Sequence, residues 1–173
     1  MSFSAADTPI DALSDWLMEQ ALFEPELEEL FEGCNRRLHA AGIPVTRAMI
    51  ASSILHPLYE SFTVLWTLED GIETTYHVHD SRNRDAWMSS PFHYMLSYDL
   101  PALRRKLVGE DAVLDFPVLE ELTERGLTDY LSYSVSFFHS GRDDAFDGFG
   151  PGVIGSWCTD RSSGFTDADL QAL

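Results

Sequence analysis

The feature that most constrains this fold is a change in the spacing of apolar residues along the chain. Before Gly42 they recur at the helical period, which indicates two amphipathic helices, over residues 11–22 and from Pro25 to Gly42. From Val45 onward, β-branched residues and alternation with polar residues are typical of strands with one buried face. A chain that changes from helices to strands in this way is predicted to form a mixed α/β domain.

Five segments are predicted as strands: TRAMIASSIL, FTVLWTL, IETTYHVH, DYLSYSVSFF and GVIGSWCTD. The second and third form a hairpin around Glu69–Gly71, for which two registers stay open. A two-residue loop of Asp70 and Gly71 places Trp66 on the same face as His77. A three-residue loop instead places Trp66 on the face of Thr74, Tyr76 and Val78.

The remaining segments are predicted as helical or irregular. Residues 92–107 and 116–126 are interpreted as short helices or turns, the second ended by Gly126, and residues 139–152 as a long loop. The T-D-A-D pattern that begins at Thr166 predicts a capped final helix. Because a helix this short needs more length or a partner, we expect 166–173 to be the start of a signalling helix that continues beyond Leu173.

Composition excludes several classes of protein. The chain has 173 residues, which fits a single domain over 1–173 with residues 1–10 flexible. Its net charge of −18 repels nucleic acids and anionic membranes. An apolar run long enough to span a membrane and a signal peptide are both absent from the sequence, so a cytoplasmic location is expected. Cys34 and Cys158 are predicted to be reduced, buried thiols.

Three stretches carry a resemblance to a known family: LHPLYESFTVLWTLEDGIE, VLDFPVLEELTERGLTDYLSYSVSF and GSWCTDRSSGFTDADLQAL. With the order of elements, residues 11–173 resemble the N-terminal GAF-like domain that precedes the catalytic domain in a group of bacterial class III adenylate/guanylate cyclases. The resemblance implies a mainly antiparallel central sheet, with N- and C-terminal helices on one side and a helical or loop segment over the other. It also implies a sensor in cAMP signalling, a cyclase domain after Leu173, and terminal helices that pair two copies.

The chain itself is expected not to be catalytic. It lacks a credible pair of metal-binding carboxylates of the kind class III cyclisation requires, and it lacks phosphate-loop, dinucleotide, nucleophile-elbow and H-E-x-x-H motifs. The Asn-Lys-Phe-Asp-Glu set of cyclic-nucleotide-binding GAF domains is also missing, as is a cysteine beside a histidine suited to attaching a bilin. Cyclic nucleotide is therefore disfavoured as a ligand, and no cofactor is predicted.

Two patterns suggest ions but are weak. His77 and His79 project from one strand face about 7 Å apart, yet a metal site needs further ligands, and the fold would have to bring them close. The candidates are His56, His93, Asp80 and Cys158. The loop around Asp143, Asp147 and Gly148 resembles a calcium loop, but position 145 is alanine and the closing glutamate is absent. A haem or metal sensor is thus the less favoured alternative.

The favoured site is a small-molecule pocket between the sheet and the middle segment, because pockets combine apolar walls with a few polar anchors. The predicted ligand-binding residues are Trp66, Tyr76, His77, Phe92, His93, Tyr94, Tyr130 and Ser134. Ser132, Ser134 and Ser136 are candidate anchors, and His77 or Arg104 is the candidate partner of an anionic group. For each aromatic residue taken singly, the alternative is an ordinary core position.

The terminal helices point to a second class of function. If the stripe of Leu13 and Leu17 and the seam of Leu170 and Leu173 are not both covered by the sheet, a second copy must cover them. This predicts a parallel homodimer through the terminal helices. A ligand-free dimerisation scaffold is therefore the alternative to a ligand-binding sensor.

Overall fold

The structure is a computed structural model that describes residues 9–79, 84–137 and 152–173. The helices in these ranges are α1 (Pro9–Gln20), α2 (Leu27–Ala40), α3 (Arg84–Met88), α4 (Pro91–Ser97), α5 (Pro117–Glu124) and α6 (Asp167–Ala172). The strands are β1 (Arg47–Ser53), β2 (Tyr59–Thr67), β3 (Gly71–Val78), β4 (Ala102–Lys106), β5 (Asp129–Ser136) and β6 (Gly152–Thr159).

The strands form one sheet in the order β3-β2-β1-β6-β5-β4, and every neighbouring pair is antiparallel. The five predicted strands are all present, but the prediction of helix or turn over residues 92–107 is wrong for its second half. Residues of ALRRK favour helices, yet Leu103 and Arg105 pair with Ser132 and Tyr130 of β5. Backbone hydrogen bonds to a neighbouring strand therefore override local propensity in β4.

Each face of the sheet is covered by its own layer of helices. Helices α1, α2 and α6 cover one face, named here the terminal-helix face, where Leu13 and Phe31 pack in one cluster with Trp66. Helices α4 and α5 cover the opposite face, the middle-segment face, where Met95 and Leu119 are fully buried. The predicted fold class, an antiparallel sheet between terminal helices and a middle segment, is confirmed.

The hairpin between β2 and β3 adopts the three-residue alternative. Thr67 pairs with Gly71 and Trp66 pairs with Ile72, so the loop is Leu68–Asp70. Gly71 has a φ of +79°, a conformation that glycine adopts without the steric penalty of a side chain. As a result, Trp66 shares a sheet face with Tyr76, and His77 points to the other face.

The C-terminal helix begins with the predicted cap. The Thr166 hydroxyl accepts a hydrogen bond from the Asp169 backbone N–H, and the Asp169 carboxylate accepts one from the Thr166 N–H. The capping box at Thr166 is therefore confirmed.

Other predictions fall outside the described residues, namely the flexible start up to residue 8 and the loop over 139–151 with its calcium-like pattern at Asp143, Asp147 and Gly148. Within the ranges that are described, no helix has the length and hydropathy required to cross a bilayer.

Candidate functional site

The structure separates the eight predicted binding residues onto two faces of the sheet. Trp66 is fully buried on the terminal-helix face, and Tyr76 lies on that face at the outer strand β3, with 55% of its surface exposed. The Tyr76 ring contacts the rings of Tyr59 and Phe62. The prediction of one pocket that contains both Trp66 and the middle segment is therefore wrong, because the hairpin register points the indole to the opposite face.

Two of the other six residues, His77 and Ser134, lie on the middle-segment face of the sheet with their polar atoms already engaged. The His77 Nε2 atom lies 3.2 Å from the Thr63 hydroxyl, and the Ser134 hydroxyl donates to the Leu100 carbonyl at 3.1 Å. A ligand-binding role for either residue remains a prediction.

The remaining four predicted residues lie close to one another around α4. The His93 ring packs edge-on against Trp87 at 5.8 Å, and the Tyr94 ring packs against Phe116 at 5.5 Å. Phe92 and Tyr130, by contrast, line a cavity between the sheet and helices α3 to α5. These two are the predicted residues that the structure brings together at a candidate site.

The cavity has a volume of about 300 Å³, at the low end of the range for small-molecule sites. Its walls are mostly apolar and come from β1, α4 and α5, including Met49, Phe92, Val118 and Leu122. Ser89, Ser90 and the exposed Glu121 are the polar residues contributed by the helical side. Such a cavity suits a small molecule with an apolar body.

The sheet side of the cavity is polar, and strand pairing explains its layout. Arg47 of β1, Cys158 of β6 and Tyr130 of β5 are register partners, so they form one row across the middle-segment face. Met49 and Ser156 belong to the adjacent row. Arg47, Ser156 and Tyr130 line the cavity, with the buried Cys158 thiol between two of them.

On this sheet side of the cavity, named here the cavity floor, two buried polar atoms have no hydrogen-bond partner of normal geometry among the described residues. They are Nε of Arg47 and the hydroxyl of Ser156, whose residue has no exposed surface. Nη2 of the guanidinium lies 3.9 Å from the Met49 sulfur, and the guanidinium also lies within hydrogen-bonding reach of the Cys158 thiol. Across the described ranges, no carboxylate lies within ion-pair distance of Arg47. Buried polar groups in native proteins nearly always have partners, so a bound molecule or water is expected here.

Arg47 supplies the charge of this floor. Burial raises the pKa of the Cys158 thiol to about 11, although the Arg47 guanidinium opposes the rise. Burial also raises the pKa of the Tyr130 phenol, and Cys158 adds to this rise, while the hydroxyls of Ser132 and Ser156 oppose it. Cys158 and Tyr130 are therefore neutral at physiological pH, whereas a guanidinium is permanently positive.

The sequence analysis missed Arg47 and Ser156. It named Arg104 as the partner of an anionic group, but Arg104 points to the terminal-helix face, where it binds Asp129. The candidate anchor Ser132 donates its hydroxyl to the Gly155 carbonyl at 2.8 Å. In the sequence, Arg47 is an arginine at the start of a strand and Ser156 is a serine within a buried strand. Neither position indicates a binding site until the strand pairing is known.

His77, in β3, and His79, just after that strand, both make other contacts. His79 lies 3.8 Å from the Glu60 carboxylate and 3.4 Å from the His56 carbonyl, while His77 contacts Thr63. In the part of the chain that is described, no group of three metal-ligating side chains occurs. His56, His93 and Cys158, the described candidates for further ligands, therefore form no metal-binding group with His77 and His79. The other candidate, Asp80, lies outside the described residues.

The opposite side of β5 holds the C-terminal segment. Asp129 has no exposed surface and accepts hydrogen bonds from Arg104 Nε at 3.1 Å, Arg104 Nη2 at 2.5 Å and the Phe165 backbone N–H at 2.9 Å. Arg104 also donates to the Phe165 carbonyl at 2.6 Å. Since Asp129 and Tyr130 are consecutive, the strand that forms part of the cavity floor also anchors the residues just before α6.

Comparison with known proteins gives likenesses of structure and none of sequence. No known protein family matches the chain, and no curated protein sequence matches it. Among solved structures, the chain is similar to the phycoerythrobilin-bound GAF domain from a cyanobacterial phytochrome, with 13% sequence identity and a TM-score of 0.48. That alignment covers 98% of this chain and 89% of the other.

Proposed function

We propose that this chain is a regulatory sensor domain that acts in the cytoplasm, binds a small molecule in the cavity between the sheet and helices α3 to α5, and passes the binding event to α6. The observation that carries the proposal is the cavity floor, where the residues that the structure describes offer no hydrogen-bond partner of normal geometry to Arg47 Nε or to the Ser156 hydroxyl. Such atoms are satisfied when a ligand with matching groups occupies the cavity.

Strand β5 provides the route from the cavity to the C-terminus. Tyr130 faces the cavity, and the preceding Asp129 holds the backbone of Phe165 on the other side of the sheet. A ligand that prefers one position of Tyr130 would thereby favour one position of the segment that leads into α6. The size of this effect is limited by the difference in the ligand's affinity for the two arrangements.

A screen of small molecules by thermal shift, together with native mass spectrometry of the purified protein, tests the binding step. Val118→Phe narrows the cavity, and Val113→Phe is the matched control because Val113 is exposed and does not line it. We expect compounds that stabilise the wild type to lose their effect in Val118→Phe and to keep it in Val113→Phe. Equal responses of the two variants would contradict binding in this cavity.

Hydrogen exchange tests the transmission step. We expect a bound compound to change the exchange rates of the backbone amides at 165–173, and Asp129→Asn to reduce that change while binding persists. A ligand that alters exchange around the cavity but leaves the C-terminal amides unchanged would refute the transmission step and retain the binding step.

We further propose that the output is a class III cyclase catalytic domain that follows Leu173, as the resemblance of the three sequence stretches implies. The test is to extend the coding sequence beyond Leu173 and to measure cyclic AMP formation from ATP by the longer chain, with and without a stabilising compound. A reading frame that ends at Leu173, or a following domain of another class, would refute this part of the proposal.

A dimerisation scaffold is the second candidate function, but the surface that would pair two copies is not the one predicted from the sequence. Leu13 is buried, and Leu17, Leu170 and Leu173 pack against the same core, so these stripes need no second copy. The exposed apolar residues of this region instead lie at the end of α1 and just after it: Met18, Leu22 and Phe23 are 74%, 80% and 70% exposed. Analytical ultracentrifugation of the wild type and of Leu22→Ser tests this candidate. If the chain is a dimerisation scaffold, the wild type is a dimer and Leu22→Ser dissociates more readily.

A further inference from the structure

The geometry of the cavity points to the chemical class of its ligand, and this inference rests on the proposed function. We infer that the cavity binds a small organic monocarboxylate, whose carboxylate contacts Arg47 and Ser156 and whose apolar body lies against Met49, Phe92 and Val118.

The carboxylate is inferred from the floor. A guanidinium presents a planar fork of N–H donors that matches the two oxygens of a carboxylate. In the described part of the chain, Arg47 forms no ion pair with a protein carboxylate, although the protein has 29 acidic and only 11 basic residues. Four other arginines each form an ion pair with an acidic side chain: Arg36, Arg104, Arg105 and Arg161. Arg47 thus lines the cavity as a positive charge whose described contacts, Met49 and Cys158, are both uncharged.

That the ligand carries only one negative charge is inferred from the negative charge of the protein around the cavity. The net charge of −18 opposes the entry of any anion, and it opposes a dianion more strongly than a monoanion. Glu121 on α5 adds a carboxylate to the cavity lining itself. One guanidinium and one hydroxyl therefore suit a carboxylate better than a phosphate, which carries more charge.

The apolar body is inferred from the walls. Met49, Phe92, Val118 and Leu122 offer no hydrogen-bonding groups apart from a thioether, so a ligand gains there by removing apolar surface from water. The volume of about 300 Å³ restricts that body to a single ring or a short chain.

The experiment compares acids with their neutral amides on the whole chain. The probes are phenylacetate, benzoate and hexanoate, each paired with its primary amide, together with inorganic phosphate, and binding is measured by calorimetry and thermal shift. We expect at least one acid to bind about tenfold more tightly than its amide, because a charged hydrogen bond replaces a neutral one. Its affinity should fall as salt is added, while that of the amide should not.

Variants locate the contact. Arg47→Gln is expected to lower the affinity for the acid by about tenfold and to leave the affinity for the amide unchanged. Ser156→Ala is expected to lower the affinity for the acid by a smaller factor. Arg36→Gln is the matched control, since it removes the same charge from an exposed pair with Glu32 and should leave binding unchanged. The comparison of acid and amide uses only the wild type, so it decides the inference even where Arg47→Gln fails to fold.

Several results would overturn the inference. Equal binding of acid and amide, or phosphate binding as tight as that of any acid, would refute a monocarboxylate site and leave the sensor proposal standing. If no acid binds at millimolar concentration while neutral compounds of the wider screen stabilise the protein, the monocarboxylate site is likewise refuted and the sensor proposal stands. Failure of every compound, with native mass spectra free of bound molecules, would overturn both the inference and the ligand-binding function.

Discussion

Removal of the Asp129 carboxylate should destabilise the protein far more than removal of the Asp115 carboxylate. Both residues accept paired hydrogen bonds from consecutive arginines of β4. Arg104 lies 3.1 and 2.5 Å from Asp129, and Arg105 lies 3.0 and 2.8 Å from Asp115. The pairs differ in burial, because Asp129 has no exposed side-chain surface while 39% of the Asp115 side chain is exposed.

The magnitude follows from what each substitution leaves behind. Asp129→Ala deprives Arg104 of its partner and leaves the Phe165 N–H buried without an acceptor. Breaking a buried pair costs about 3–5 kcal/mol, and because 28% of the Arg104 side chain is exposed and can rehydrate, we expect about 3 kcal/mol. Asp115→Ala breaks a pair that water screens and should cost about 0.5 kcal/mol.

The assay is urea unfolding followed through the four tryptophans, with the slope of the transition compared between variants. The melting temperature of Asp129→Ala should fall by about 6–12 °C, from about 2–4 °C per kcal/mol for a domain of this size. Asp129→Asn keeps one oxygen acceptor and should lie between the wild type and the alanine variant. If Asp129→Ala and Asp115→Ala lower the free energy of unfolding by amounts that agree within about 0.5 kcal/mol, the reasoning from burial is refuted.

Three further substitutions test other parts of the structure. Trp66→Ala should lower the free energy of unfolding by about 3–5 kcal/mol, because it empties a fully buried position. Trp66→Phe should cost much less, since the indole N–H has no hydrogen-bond partner among the described residues. Urea midpoints that match for the two would contradict this. Gly164→Ala should cost about 2 kcal/mol, since φ is +70° and the added Cβ would collide with the Asp129 carboxylate. Gly126→Ala, at a φ of +85° with open space, should cost less, and the reverse order in thermal melts would be inconsistent with the collision. For Asp169, burial would raise the carboxyl pKa, but hydrogen bonds from Thr166 and Arg161 outweigh it and lower the pKa below its ordinary 3.8. This stabilisation is therefore complete above that value and lost as pH falls below it, so Asp169→Asn should be destabilised at neutral pH and show a shallower acid-induced loss. An unchanged acid limb of the stability profile would argue against the pairing.

Most local structure was predictable because it depends on near neighbours in the chain. The apolar stripe of α2, the alternation in β5 and the cap at Thr166 are properties of a few consecutive residues. The prediction failed at β4, whose helix-favouring residues are held extended by pairing with β5, about 25 positions away in the chain. Local propensity contains no information about that partner.

The candidate site was predicted only in part, for the same reason. Of the predicted residues, Phe92 and Tyr130 line the cavity, since one lies in the middle segment and the other on the polar face of a strand. Trp66 was misplaced because a hairpin loop of two or three residues reverses which face a side chain occupies. Arg47 and Ser156 were missed because they come from strands about 100 residues apart.

The sequence by itself determined the kinds of element, their order and the charge of the molecule, because these depend on periodicity and composition. The tertiary structure decided the hairpin register and the row of Arg47, Cys158 and Tyr130 across the sheet. It also decided that no acidic side chain of the described residues forms an ion pair with Arg47. The physical reason is that strand pairing joins residues that are distant in the chain. Only after pairing is it defined which side chains share a face, which are buried, and which polar groups have partners.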